Sequence, residues 1–203
     1  VNEIKVAQFA GYVSEHSGYH HGEMSLNKAI VGMAQEYIGA NNINTLLPLG
    51  QFGTRLKGGQ DSASERYIYT ALNSITRCIF PKADEAVLKY IDDDGTLVEP
   101  EFYAPIIPMI LVNGGKGIGT GFSYEGLSYN VNSIIDYCKC KLKNKKYKGE
   151  IEPYYEGFKG DIIKLDKESK KYLIKGKYEV MSYDTIKITE LPVGTWTVTY
   201  KAF

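Results

Sequence analysis

Apolar side chains at Ile4, Val6, Ala7, Phe9, Ala10 and Val13 recur at helical spacing, which predicts a short helix closed by Ser17-Gly18. The repeat is stronger between Glu23 and Ile38. There Leu26, Ile30, Met33, Ala34 and Tyr37 share a face, Lys28 and Gln35 lie opposite, and Gly39 with Asn41-Asn42 supplies the stop. A Gly-containing turn between two helices is a helix-turn-helix pattern, although helices packed for stability alone share it. Ser64 reads as the cap of a third helix, with Ile68, Leu72, Ile75 and Ile79 on one stripe and Pro81 after its end. Val87–Ile91 and Thr96–Val98, joined through Asp92-Asp93-Asp94-Gly95, predict a hairpin. Ile106–Val112 reads as a buried strand that leads into a glycine-rich loop over 114–121.

Residues 43–63, rich in Gly and polar side chains, read as an ordered loop of unusual length, and such loops tend to carry function. After about Tyr124 the pattern changes. Asn130–Leu142 is amphipathic, and strand-like stretches follow at Gly160–Leu165, Lys171–Met181 and Thr185–Leu191. The fold class expected is therefore α+β. Helices followed by hairpin and strand is the order of a winged-helix module, and a second α+β unit comes after it.

At 203 residues, 43% hydrophobic and 24% charged, the composition is that of a soluble globular chain. The longest apolar run, Tyr103–Val112, is about half a membrane span and contains Pro105 and Pro108. No secretory signal opens the chain, and three cysteines without paired zinc spacing suit reduced thiols in an intracellular protein. The absent initiator methionine suggests a piece of a longer chain. Net charge is zero, so any nucleic-acid function must rest on local features. Those are uneven: residues 1–80 carry 6 basic and 6 acidic side chains, 81–130 carry 3 and 8, and 131–203 carry 15 and 10.

Candidate chemistry begins at Arg66 and Tyr67. At helical spacing Tyr67 stands about 110° and Arg66 about 150° from the apolar stripe, so neither aims at the core. In the first turn of a helix, Arg66 and free N–H groups could hold a phosphate that the Tyr67 hydroxyl attacks; an exposed aromatic beside a surface arginine is the plainer reading. His20 and His21 precede the second helix, where an imidazole could contact a phosphate, assist proton loss or simply cap and pack. Pairing His16 with His20 as metal ligands lacks a third ligand. The 114–121 loop fits neither dinucleotide nor P-loop spacing. It does hold Ile118 between Gly117 and Gly119, where an apolar tip could wedge between base steps or fold back into its own core. Asp92-Asp93-Asp94 suits a hairpin turn better than a metal site. Lys139, Lys141, Lys143, Lys145, Lys146 and Lys148 read as a solvated helix end that could touch phosphates.

Five segments in order then add up. Tyr19-His20-His21-Gly22-Glu23-Met24-Ser25-Leu26, Gly50-Gln51-Phe52-Gly53-Thr54-Arg55, Asp61-Ser62-Ala63-Ser64-Glu65-Arg66-Tyr67-Ile68, Asn113-Gly114 with Gly117-Ile118-Gly119-Thr120-Gly121, and Glu190-Leu191-Pro192-Val193 with Thr195-Trp196-Thr197 closely resemble the breakage-reunion region of eukaryotic-type type IIA DNA topoisomerases, cellular or viral. The resemblance implies a winged-helix domain over 1–121 and part of an α/β tower domain over 122–203. It implies Tyr67 as nucleophile, Arg66 as its phosphate-binding neighbour and His21 as a further active-site contact. Ile118 falls on the family's intercalating isoleucine, and His20, Lys28, Arg55, Lys57 and Lys116 become candidate DNA contacts.

On that resemblance Tyr67 exchanges one phosphodiester for a 5′-phosphotyrosyl link, and a homodimer acts on double-stranded DNA. Mg²⁺ and ATP are needed by the complete enzyme and bound by domains absent here, so this chain should hold no metal or cofactor and should bind DNA without cleaving it alone. The location implied is intracellular, nuclear for a cellular enzyme and cytoplasmic virus factory or nucleus for a viral one, with no membrane partner. Two rivals stand beside it: a winged-helix DNA-binding factor without covalent chemistry, and a nucleotide-binding module built on the 114–121 loop.

Overall fold

The structure is a computed structural model and describes residues 2–166 and 171–203. Its elements run β1 (Ile4–Lys5), α1 (Val6–Ser17), α2 (Glu23–Ala34), β2 (Tyr69–Thr70), α3 (Thr76–Ile79), a 3-10 turn (Lys82–Val87), β3 (Tyr90–Asp93), β4 (Thr96–Pro100), α4 (Met109–Val112), β5 (Gly115–Gly119), β6 (Phe122–Gly126), α5 (Val131–Leu142), β7 (Asp161–Lys164), β8 (Tyr172–Lys175), β9 (Lys177–Val180), β10 (Ile186–Glu190) and α6 (Thr197–Ala202). Short helices and two-stranded antiparallel sheets make the chain α+β, as its pattern predicts. Two compact units interleave along the sequence: Val1–Glu36, Ile43–Phe52 and Ser62–Met109 form one, and Tyr37–Asn42, Gly53–Asp61 and Ile110–Phe203 form the other. Among the described residues no helix is long and apolar enough to cross a membrane.

The first unit is built on α1 and α2, whose buried faces supply Val6, Ala10, Ile30 and Ala34 to a core completed by Leu46, Phe52 and Ile68. Helix α1 stops where Gly18 turns left-handed at φ 60°, a conformation that costs glycine least. Helix α2 ends at Ala34, four residues before the expected Ile38. Gln35 is extended there, and its side-chain amide donates to the Phe52 carbonyl at 2.8 Å. The predicted β3–β4 hairpin is present, with Asp93 opposite Thr96.

The expected third helix does not form over 64–79. Tyr69 and Thr70 are instead a strand, pairing with Lys5 and Ile4 on one side and exchanging backbone bonds of 3.0 and 3.1 Å between Tyr69 and Leu49 on the other. Both edges of the segment are thus occupied by distant chain, and that pairing outweighs a three-to-four repeat in the sequence. Helix starts only after Asn73, whose side chain accepts from the Ile75 N–H and donates to the Asn44 carbonyl. The expected buried strand over Ile106–Val112 is also absent. Pro108 has no N–H to give a ladder, α4 is a single turn, and Ile106 and Ile110 are exposed while Val112 is fully buried.

The second unit gathers around α5 and the β5–β6, β7–β8 and β9–β10 hairpins. Asn130 caps α5, its side-chain oxygen accepting from the Ser133 N–H at 3.2 Å. Asn42 ties three segments together. Its side-chain amide donates to the carbonyls of Val112 and Tyr154, each at 2.9 Å, and its oxygen accepts from the Glu156 N–H at 2.8 Å. The single strand expected over Lys171–Met181 is split at Gly176 into β8 and β9, which belong to different hairpins. The glycine-rich 114–121 segment is likewise a hairpin, with Gly119 opposite Phe122 and Ile118 opposite Ser123.

Candidate functional site

Tyr67 closes a tight turn in which its N–H donates to the Ser64 carbonyl at 2.9 Å. The turn is fixed at both ends: Ala7 N–H donates to Glu65, Val6 N–H to Ile68 and Ala63 N–H to Gln51. Extended backbone then alternates, so Ile68 is buried at 2% exposure while Tyr67 stands 78% exposed beside exposed Arg66. Gly50, at φ 133°, leaves the space Ile68 fills; a Cβ there would come within 2.9 Å of Ile68 Cγ2. The phenol of Tyr67 makes no hydrogen bond among the described residues. Its exposure matches the expectation, but the cause differs, because no helix N-terminus lies behind Arg66. Without helical N–H groups, a phosphate here would depend on the guanidinium and neighbouring turn amides.

His20 and His21 are exposed in the connection before α2, with the His21 ring edge-on to Tyr19 at 5.4 Å between centroids. Lys28 is exposed on α2, on the side facing away from Ile30. No hydrogen bond joins His21 to Arg66 or Tyr67 among the described residues, so the structure supplies each group without a preformed relay. No group of three or more His, Cys, Asp or Glu suited to a metal ion occurs among the described residues.

In the second unit Ile118 projects from β5 next to the Thr120-Gly121 turn and is 85% exposed. The alternative in which it folds into its own core is thereby removed. Lys116 shares its face of the hairpin, 3.7 Å from Glu125 on β6. Alternation puts Gly117 and Gly119 on the other face, and no side chain crowds Gly117 within 4 Å.

Lys57 is exposed in the loop over 53–61, and Arg55 takes a role different from the expected phosphate contact. Its guanidinium pairs with the Glu190 carboxylate and donates to the Leu191 carbonyl. The Lys159 N–H completes Glu190 at 3.1 Å. On the same loop, Gly58 at φ 61° lies against the Trp196 indole, where any Cβ would collide, and Val198 N–H donates to Leu56 at 3.1 Å. Two sequence motifs that look like separate signatures are therefore one assembly. Glu190 and Trp196 carried no role from sequence alone; a carboxylate within an otherwise strand-like run ending in Leu-Pro was the available signal.

Asp61 fastens the other end of that loop. Thr54 Oγ1 donates to it at 2.5 Å and Thr54 N–H at 2.9 Å. These bonds, the hydroxyl foremost, with Lys57 adding a smaller attraction, hold the Asp61 carboxyl below its ordinary range. A depressed folded value stabilises the loop above the unfolded pKa and is lost as pH falls through the folded one. Amide exchange at Thr54 should therefore show protection that is constant down to about pH 4 and declines below it. Asp61→Asn should remove that pH dependence; an unchanged profile would show that another group controls the loop.

The fold that carries these groups has counterparts among known proteins. The family model that describes the A-type subunit of DNA gyrase and topoisomerase IV matches residues 1–203. DNA topoisomerase 2 of Pisum sativum is 51% identical over 201 residues, covering 99% of this chain and 14% of the relative. DNA topoisomerase 2-alpha of Homo sapiens is 50% identical over 199 residues, 98% of this chain and 13% of the relative. A solved structure of the Plasmodium falciparum topoisomerase II DNA-binding, cleavage and re-ligation domain matches with a TM-score of 0.94 at 48% identity, covering 100% of this chain and 27% of that one. The chain thus spans about one seventh of the length of these curated relatives. On a model matched from end to end and on relatives at half identity, the chain belongs to the DNA gyrase/topoisomerase IV family, in the line of its A-type subunits.

Proposed function

We propose that this chain is the DNA-binding and strand-cleaving region of an ATP-dependent type IIA DNA topoisomerase, with Tyr67 as the nucleophile. The observation that carries the reading is an exposed phenol, without a hydrogen bond among the described residues, beside Arg66 on a turn pinned from three sides. Oη of Tyr67 forms a bond to phosphorus as the bond to the 3′-oxygen breaks. The phenolic proton is lost, the 3′-oxygen gains one, and a 5′-phosphotyrosyl ester replaces the phosphodiester. One ester for another leaves little net energy change, so religation is the same step reversed. Arg66 offsets the charge that grows on the phosphate oxygens, and His21 and His20 serve as phosphate or proton contacts.

The remaining roles follow the same reading. Ile118 is the apolar wedge that opens a base step and bends the duplex. Lys28, Lys57 and Lys116 contact phosphates, which position the DNA without reading its sequence. Arg55 positions Lys57 by fixing the loop that carries it. Residues 1–121 correspond to the winged-helix domain and 122–203 to part of the tower. In the complete enzyme two copies act as a homodimer, one tyrosine per strand. Mg²⁺ and ATP serve that enzyme from outside this chain, whose described residues offer no set of ligands suited to a metal. Its place of work is the nucleus of a cell, or a virus factory or host nucleus if the source is viral.

The test is to trap the covalent complex of the complete enzyme on duplex DNA, digest it, and map the nucleotide-bearing peptide by mass spectrometry. The chain has 17 tyrosines, so the site is not trivial. The adduct should fall on Tyr67. An adduct on any other tyrosine, or DNA binding with no adduct, would return the chain to a winged-helix DNA-binding factor.

A further inference from the structure

The six lysines between Lys139 and Lys148 are not used by the reading above. All six are exposed, and no carboxylate pairs with any of them among the described residues. No acidic residue occurs between Asp136 and Glu150, so a chain of zero net charge concentrates six positive charges in ten residues. The neighbouring hairpins behave differently: Lys164, Lys177 and Lys187 each face a carboxylate, on Glu150, Asp161 and Glu179.

The cluster is also held in shape. Beyond the last turn of α5, Lys143 N–H donates to Lys139, Asn144 N–H to Lys141 and Lys145 N–H to Cys140, with Asn144 left-handed at φ 50°. This closure turns the chain back on the helix. The Tyr147 ring then packs edge-on against Tyr137 at 5.6 Å, and Lys141 Nζ lies 5.4 Å from the Tyr137 centroid. Two or three cations suffice to complement the half-charge of a helix C-terminus. Six like charges braced together repel one another unless a polyanion is present to absorb them.

We propose that this lysine cluster at the end of α5 is an additional, sequence-independent contact for the phosphate backbone of the duplex that the enzyme holds. The inference rests on the functional reading above, since that reading supplies the DNA. A phosphate chain is the partner the chemistry fits: point charges on flexible stems suit a repeating monoanion, and no apolar pocket or bidentate guanidinium accompanies them to select anything else. Each lysine that neutralises a phosphate releases counterions, so the contact must be visible in the salt dependence of binding.

The experiment uses the complete enzyme and compares two triple variants of equal charge change. Lys143→Gln/Lys145→Gln/Lys146→Gln removes half of the cluster, and Lys164→Gln/Lys177→Gln/Lys187→Gln removes three lysines that already have carboxylate partners. Binding to a long duplex is measured against salt by fluorescence polarisation, alongside the yield of trapped covalent adduct at saturating DNA. The cluster variant should lower the slope of log K against log salt by about 2 to 3 and weaken binding at physiological salt at least tenfold. The paired-lysine variant should change affinity less than threefold, and adduct yield at saturation should be unaffected in both. Equal losses in the two variants would reduce the effect to bulk charge, and an unchanged slope in the cluster variant would remove the contact; either overturns the inference. A normal Tyr67 adduct with an unchanged slope refutes the cluster alone. A reduced slope in an enzyme that forms no adduct keeps the cluster and refutes the cleavage reading.

Discussion

Replacing Tyr67 by Phe in the complete enzyme is expected to abolish covalent capture of duplex DNA, a loss on the order of 10⁴-fold or more, while non-covalent binding changes less than about twofold. The substitution removes a single oxygen. Tyr67 is 78% exposed and its hydroxyl has no protein partner among the described residues, so the folded state loses nothing that it had. The ring and the turn beneath it persist, because the turn is held by backbone bonds from Ser64, Ala7, Val6 and Ala63 rather than by the phenol. What disappears is the only atom that can become the ester oxygen. Denaturing gels of the trapped complex, with polarisation binding beside them, give both readouts. Adduct at the parental level would exclude Tyr67 as nucleophile. Arg66→Ala should separate from it by weakening both binding and adduct formation, since a charge that meets phosphate acts before and during attack.

Breaking the Arg55–Glu190 pair is expected to cost about 3 kcal/mol, at the low end of the range for one partner lost from a buried ion pair. The arginine side chain keeps 21% exposure and the glutamate only 5%, so some of the lost attraction is already screened at the arginine end. Arg55→Ala leaves Glu190 nearly enclosed, with the Lys159 N–H as its remaining donor. Urea denaturation of the 203-residue chain measures the loss. Replacing both partners together, by Arg55→Met and Glu190→Leu, should recover most of it, because well-packed apolar groups avoid the desolvation of a lone charge. A single variant as stable as the parent would mean that the pair contributes nothing. A double variant no better than the single would shift the cost to the bond from Arg55 to the Leu191 carbonyl.

Much of the candidate site is legible in the sequence because its signals are local. The exposed nucleophile, the hairpin at 90–100, the amphipathic α5 and the isolation of Ile118 between glycines each depend on residues a few positions apart. Elements whose partners lie far along the chain were misread. The stripe Ile68, Leu72, Ile75 and Ile79 has helical spacing, yet Leu46–Leu49 and Ile4–Lys5 capture residues 69–72 as extended chain. Arg55 has the composition of a phosphate contact, and nothing within ten residues of it announces Glu190.

The sequence alone determined which side chains are available for chemistry and that an α+β fold would carry them, since side-chain identity, turn residues and short periodicities act over one or two turns of chain. Tertiary structure alone decided that Tyr67 stands on a clamped turn instead of a helix, that Arg55 belongs to Glu190, and that Ile118 points outward. The physical reason is the same in all three cases. Backbone pairing and burial of charge take their energy from whichever groups folding brings together, and those groups are separated by up to 136 residues of sequence.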